Sequence, residues 1–128
     1  MAQVKIYGLN AHLSGLRRQL SDVIHIAAIE AFGLPESKRF HRFISLNREE
    51  FIFPNSRSER YTIIEVSMFE GRSVVAKRSY IHKLFAGLEA LGIERQDVEI
   101  TLFETPRHNW GIRGKIADEL DLSYEVRV

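Results

Sequence analysis

Residues 61–69, YTIIEVSMF, form the strongest β-strand pattern in the sequence. The run is rich in β-branched residues and almost continuously apolar, which is typical of a strand buried in the middle of a sheet. A turn at residues 70–73 (EGRS) follows, and then an apolar stripe of helical spacing that ends at Gly92. Residues 98–103 alternate apolar and polar side chains, as a half-buried strand does. The second half of the chain therefore predicts a strand–helix–strand unit, with Ser73 as the helix N-cap.

The first half of the chain repeats this order. Residues 3–7 predict a strand, residues 13–31 carry a helical apolar stripe, and residues 39–45 predict a second strand. The sequence EAFGL at residues 30–34 recurs as EALGI at residues 89–93. Both copies lie at the end of the helix of a strand–helix–strand unit, so the chain is interpreted as a tandem repeat.

The predicted fold class is α+β: two fused βαβ units form one mixed four-stranded sheet with two helices on one face. We expect one domain over residues 1–128, with halves at about 1–58 and 59–128. The uncovered sheet face favours oligomerisation. Short strands predicted at residues 51–53 and 124–128 would pair with the edges of a neighbouring subunit.

The ends and connections of these elements carry their own predictions. Asn10 or Ser14 is expected to cap the first helix, and Gly33 is expected to end it. Residues 106–114 have the composition of a loop, and residues 116–122 predict a short helical turn.

Composition excludes several classes of function. The chain of 128 residues has 45% hydrophobic and 27% charged residues, a formal net charge of +1 and no cysteine. Disulfides, thiolate nucleophiles and cysteine-rich zinc sites are therefore excluded, and the histidines show no metal-ligand spacing, so no metal site is expected. There is no secretory signal or membrane-spanning stretch, which predicts a cytoplasmic protein with no membrane partner. The basic aromatic residues 39–43 could stack single-stranded nucleic acid, but the near-neutral charge argues against a nucleic-acid partner.

The repeat and three local sequences, EAFGLP at 30–35, EGRS at 70–73 and WGIRG at 110–114, resemble the tautomerase superfamily. The likeness extends over almost the whole chain, in particular to the malonate semialdehyde decarboxylase-like and cis-chloroacrylic acid dehalogenase-like branches. It implies a homotrimer without a cofactor, in which an N-terminal proline at the start of the first strand acts as base or acid. It also implies that arginines beside this proline hold the carboxylate of a small oxo or halo acid.

The chain departs from this family at the most informative position, because Ala2 stands where the family has proline. The amine of an N-terminal residue has a pKa of about 8, and an apolar pocket beside guanidinium groups lowers it further, so that the neutral amine accepts a proton near pH 7. If Met1 is removed, Ala2 presents a primary amine at this place. If Met1 is retained, the base is displaced or lost.

The candidate site residues are Ala2, Arg72 and four residues of the loop. Arg72 matches the arginine of the family's turn and, with the N–H groups of a helix N-terminus, would bind a carboxylate; the alternative is a solvated arginine in a turn. The loop residues combine an aromatic wall, an amide and cationic groups, which suits a small anion, or else Trp110 packs in the core or an interface. These loop residues are His108, Asn109, Trp110 and Arg113.

Two functions remain open from the sequence. The first is an isomerase-type enzyme that acts on a small oxo acid by proton transfer, either keto–enol tautomerisation or a related decarboxylation or hydration. Its activity would be weak or altered because the proline is missing. The second is a non-catalytic trimeric relative that only binds small carboxylates.

Overall fold

The computed structural model describes residues 2–128, and its centre is a four-stranded sheet. The strands are β1 (Ala2–Leu9), β2 (His41–Leu46), β3 (Thr62–Phe69) and β4 (Val98–Thr105). They lie in the order β2-β1-β3-β4, with β1 parallel to β2 and β3 parallel to β4. The two pairs join where β1 runs antiparallel to β3. The prediction of two βαβ units in one mixed sheet is confirmed.

Two long helices cover one face of this sheet. They are α2 (Arg17–Phe32) and α3 (Val74–Ala90), and a single turn, α1 (Asn10–Leu13), precedes α2. Alternate residues of β1 and β3 point at the helices, which places one apolar core between the helices and the sheet. The fully buried large side chains of this core include Ile6, Leu20, Ile24, Phe32, Ile64, Met68, Tyr80, Leu84 and Leu88.

The two helices approach each other closely at Gly87. A Cβ atom at this position would lie 2.3 Å from Cγ1 of Val23 on α2, far inside van der Waals contact. The absence of a side chain at Gly87 therefore lets α2 and α3 pack together at this distance.

Two of the three predicted helix ends are confirmed. The Ser73 hydroxyl caps α3 by accepting the N–H of Ala76 at 3.1 Å. Gly33 ends α2 in a left-handed conformation, φ 67°, and its N–H donates to the carbonyl of Ile29. The prediction that Asn10 or Ser14 caps the first helix is wrong. The chain passes directly from β1 into α1, so Asn10 is already helical and the Ser14 N–H donates to its carbonyl oxygen.

Residues 51–53 and 124–128 form no strand within the described chain, and the predicted pairing of these segments with a neighbouring subunit stays a prediction. Phe51 stacks on Tyr61 with ring centroids 5.3 Å apart, so the aromatic residues of the first segment pack as a cluster under a loop and do not pair as a strand. The second segment crosses the end of the sheet, where the carbonyl of Val128 accepts the N–H of Ser73 at 2.9 Å.

The predicted loop at residues 106–114 contains some regular structure. A 3₁₀ turn, Arg107–Asn109, leads into a small hairpin of β5 (Gly111–Ile112) and β6 (Lys115–Ile116). The short helical turn predicted within residues 116–122 is present as a second 3₁₀ turn, Ala117–Glu119. Across residues 2–128, none of the helices has the length and apolarity needed to cross a bilayer.

Candidate functional site

Ala2 is buried at the end of the sheet from which the candidate site is built. It is the first residue of β1 and lies opposite Met68 in the antiparallel pairing with β3. Because β3 and β4 are parallel, both end at this same edge, and the turn that carries Arg72 follows β3 directly. Met1 lies outside the described residues, so its retention or removal stays a prediction. Ala2 and Arg72 therefore belong to the same end of the fold, because Arg72 follows Met68, the partner of Ala2, by four residues.

The side chain of Arg72 is buried, with only 4% of its surface exposed. Its Nη1 donates to the carbonyl of Phe69 at 3.1 Å, and its guanidinium carbon lies 4.9 Å from the ring centre of Phe32, at the end of α2. Within residues 2–128, no hydrogen-bond partner exists for Nε and Nη2. Burial lowers the pKa of Arg72, whereas Glu104 and Tyr80 raise it, and arginine stays charged near neutral pH in any case. The site thus holds a buried cation with two unused donors.

Glu104 is the carboxylate whose charge acts on this cation, and it forms a hydrogen bond to another residue. Its Oε1 accepts from Nζ of Lys77, on the second turn of α3, at 2.7 Å. Residues Ile100, Leu102 and Glu104 alternate along β4, so the period-2 pattern places Glu104 on the helix-covered face beside the turn. Glu104, Phe32 and Tyr80 did not figure in the sequence prediction, and only Glu104 could have been found from its strand register.

The loop residues come close to Arg72 only through Phe69. Trp110 donates from Nε1 to Oγ1 of Thr105 at 2.5 Å and packs edge-on against the Phe69 ring, with centroids 5.1 Å apart. Arg72 bonds to the carbonyl of the same residue. Successive side chains of a strand point to opposite faces, and Met68 belongs to the helix-side core, so the Phe69 ring and Trp110 lie on the other face.

The other loop residues line different cavities or none. His108 lines an open cavity of about 850 Å³ together with Glu70, Asp118 and Arg127. Arg113 lines a smaller cavity of about 70 Å³ with Lys38 and Asp121. Asn109 is exposed and lines neither. The predicted site residues therefore surround one end of the sheet without converging on a single pocket.

The segment of residues 122–128 covers this end of the sheet. Val126 packs over the turn so tightly that a Cβ at Gly71 would lie 3.1 Å from its Cγ1. The carbonyl oxygen of Val128 accepts a hydrogen bond from the N–H of Ser73, the N-cap residue of α3. Tyr124 packs against the main core. A ligand reaching the free nitrogens of Arg72 must therefore displace part of the surrounding structure.

Comparison with known proteins shows the family to which the chain belongs. Residues 38–113, more than half of the chain, match the family model Tautomerase_2, described as "Tautomerase enzyme", and this range includes Arg72 and the four candidate residues of the loop. The chain belongs to this tautomerase family. The family assignment confirms the likeness inferred from the sequence, and Ala2 stands at the position of the superfamily's N-terminal proline.

Individual relatives match either one half of the chain or its whole fold. The 2-hydroxymuconate tautomerase of Comamonas testosteroni is 39% identical to this chain over 57 residues, which is 44% of this chain and 90% of that protein. The enzyme of the same name from Pseudomonas putida has the same identity and the same coverage. A malonate semialdehyde decarboxylase inhibited by 3-bromopropiolate superposes with a TM-score of 0.82, at 23% identity, over 94% of this chain and 98% of its own. A native fused 4-OT gives a TM-score of 0.80 at 19% identity over 92% and 98%. These superpositions show that the fold is the same.

Proposed function

We propose that this tautomerase-family protein binds a small oxo acid, whose carboxylate is held by Arg72, and acts on it by proton transfer. The activity is keto–enol tautomerisation or a related decarboxylation or hydration, and it is weak or altered because Ala2 replaces the proline. The protein is proposed to work as a homotrimer in the cytoplasm.

The observation that carries the proposal is the pair of unpartnered nitrogens on buried Arg72. A buried donor without a partner costs about 1–3 kcal/mol, and more when it is charged. A carboxylate would accept from Nε and Nη2 in the bidentate geometry that guanidinium groups favour, and its charge would offset that of the buried cation. A bound anion would therefore stabilise this site relative to its empty state.

The proton-transfer step requires a base near the bound acid. With Met1 removed, the α-amine of Ala2 lies at the buried start of β1, at the end of the sheet that carries Arg72. Burial and a nearby cation both lower the pKa of an amine, which raises the fraction of neutral amine at pH 7. A carbonyl group of the substrate could also condense with this amine.

The experiment is Arg72→Met, which removes the charge but keeps an unbranched side chain over Phe32. Replacing a buried charge with an apolar group of similar length is often neutral or stabilising, so we expect the thermal midpoint to stay level or rise. Binding of pyruvate, measured by calorimetry, should be lost. Arg78→Ala is the matched control, because Arg78 is an exposed arginine of α3 without a partner in the described chain, and it should bind as the parent does. Equal affinity of Arg72→Met and the parent for pyruvate would refute the proposal that Arg72 holds the carboxylate.

The second candidate function is a non-catalytic relative that only binds carboxylates. It is favoured by Ala2 and by the cover that residues 122–128 place over the site. Intact mass spectrometry of the native protein decides whether a free amine exists at Ala2. A turnover assay with the enol form of phenylpyruvate then separates binding without catalysis from weak catalysis.

A further inference from the structure

A second cluster of charged residues lies apart from Arg72, between the first half of α2 and the edge strand β2. A cleft of about 770 Å³ opens there. Its lining is formed by three arginines, one acid, one hydroxyl and one aromatic ring: Arg17, Arg18, Arg39, Asp22, Ser21 and Phe43. The proposed oxo-acid site uses none of these residues.

The cleft carries more positive than negative charge. Its one carboxylate, Asp22, is already bound by Nη1 of Arg39 at 2.5 Å, and this contact lowers the pKa of Asp22. Arg17 reaches only neutral oxygens, Oγ of Ser45 at 3.3 Å and the carbonyl of Ser14 at 3.5 Å. Arg18 forms no hydrogen bond or salt bridge with any residue in the range 2–128, although its charge also helps to lower the pKa of Asp22. Three guanidinium groups against one carboxylate therefore leave the cleft with two positive charges in excess.

The floor of the cleft is fixed by hydrogen bonds. Ser21 lies 2.7 Å from Nδ1 of His41 and accepts a longer bond from Nη1 of Arg39 at 3.4 Å. The serine thus ties α2 to β2 and holds Arg39 in the orientation in which it binds Asp22.

We propose that this cleft binds a small phosphate-bearing anion, with Arg17 and Arg18 as its principal ligands. A phosphate monoester carries close to two negative charges at neutral pH, which matches the two positive charges that the cleft has in excess. Guanidinium groups present paired donors that fit phosphate oxygens. The half-buried ring of Phe43 offers an apolar wall for the organic part of the ligand. A long polyanion fits less well, since the net charge of the chain is only +1.

The test is the affinity for phenyl phosphate and inorganic phosphate at low ionic strength, by calorimetry or by amide chemical shifts. Arg18→Ala is expected to weaken both by about tenfold or more, the loss of one charge-assisted contact. Arg78→Ala removes an exposed arginine of α3 that likewise forms no hydrogen bond or ion pair within the described residues, and it should leave the affinity unchanged. Both variants change surface residues, so the fold is retained, and far-ultraviolet circular dichroism checks this.

Three outcomes would overturn the proposal. They are the absence of saturable binding, parent-like affinity in Arg18→Ala, and an equal loss in Arg78→Ala, which would mean a diffuse charge effect. Tighter Arg18-dependent binding of a single-stranded oligonucleotide than of phenyl phosphate would assign the cleft to nucleic acid instead. Arg72→Met should leave phosphate binding unchanged, so the failure of the oxo-acid proposal would not affect this one.

Discussion

At the scale of single residues, the proposed chemistry depends on Ala2, which stands at the position of the superfamily's proline. Restoring proline there, with Met1 removed, should create or raise phenylpyruvate-type enol–keto tautomerase activity, because it supplies a secondary amine at the buried start of β1. General-base catalysis by a well-placed group contributes roughly 10²–10⁴-fold in rate, which is measurable above background. Ultraviolet absorbance of the enol, with intact mass to confirm removal of Met1, provides the measurement.

The control for this substitution is the double variant Ala2→Pro, Arg72→Met. It keeps the base and removes the carboxylate anchor, so the gained activity should disappear. Proline at the first residue of a strand is compatible with the ladder, so folding should be little affected. Activity at the buffer level in a correctly processed, folded Ala2→Pro protein would favour the binding-only function.

A second residue-scale prediction concerns His41, which is held between α2 and β2. Burial lowers its pKa from 6.5 to about 4, and the charges of His25 and Arg39 act in the same direction. Between these two pH values the unfolded chain binds a proton at this imidazole that the folded chain does not bind. The free energy of unfolding should therefore fall as the pH falls from about 6.5 to about 4.

His41→Gln should reduce this fall in the free energy of unfolding at acid pH, as measured by urea unfolding at a series of pH values. The quantity compared is the slope of the free energy of unfolding against pH. A uniform loss of stability from the missing hydrogen bond to Ser21 does not change this slope. His82→Gln, at an exposed position of α3, is the control and should keep the parent's slope. An unchanged slope in His41→Gln would show that other groups cause the acid sensitivity.

At the scale of elements, the contact between α2 and α3 depends on Gly87. Gly87→Ala gains about 1 kcal/mol of helix propensity but places a methyl group against Val23, and such overpacking costs typically 1–3 kcal/mol. We expect a net loss of up to about 2 kcal/mol in the free energy of unfolding. Denaturant titration checks this.

The double variant Gly87→Ala, Val23→Ala tests the cause. If the two methyl groups collide, the alanine at position 87 becomes stabilising once Val23 is shortened, and the double-mutant cycle gives a clear coupling energy. Additive effects of the two substitutions would instead show that the loss of stability in Gly87→Ala does not come from contact with Val23.

The elements that could be predicted from sequence are those defined by local patterns. The β-branched run of β3, the apolar stripes of α2 and α3 and the hydroxyl of Ser73 each determine their own structure, and all four main strands were placed correctly. Within the single chain, the structure differs from the local pattern where distant contacts decide. Phe51 packs on Tyr61, and residues 122–128 lie over the turn at Gly71, so neither segment forms the strand that its composition suggested.

The candidate site was only partly predictable for the same reason. Arg72 was identified because a short motif and a helix N-terminus are both visible in sequence. Its burial against Phe32 depends on the packing of two helices from different halves of the chain, which no local pattern encodes. The position of Trp110 depends likewise on Phe69, in a different element.

At the scale of the whole molecule, the sheet face opposite the helices is the main open surface. Side chains of β4 that alternate with the core positions point to this face, and Phe103 is 46% exposed there. Tyr7 and Glu65 lie on the same face and bond to each other at 2.7 Å. A sheet with one bare face is typically covered by another layer, which here is proposed to come from two further copies of the chain.

We therefore expect a trimeric mass by light scattering at micromolar concentration. Phe103→Glu should shift the mass towards the monomer, because it places a charge in the proposed interface. Ile26→Glu is the matched control, since Ile26 is 53% exposed on α2, on the outer side of the helix layer, and the trimer should persist. A monomeric parent would refute the trimer, and a trimeric Phe103→Glu protein would place the interface on another surface. Because the open face and Arg72 lie on opposite sides of the sheet, a monomeric Phe103→Glu protein that still binds pyruvate would show that one subunit holds the complete carboxylate site.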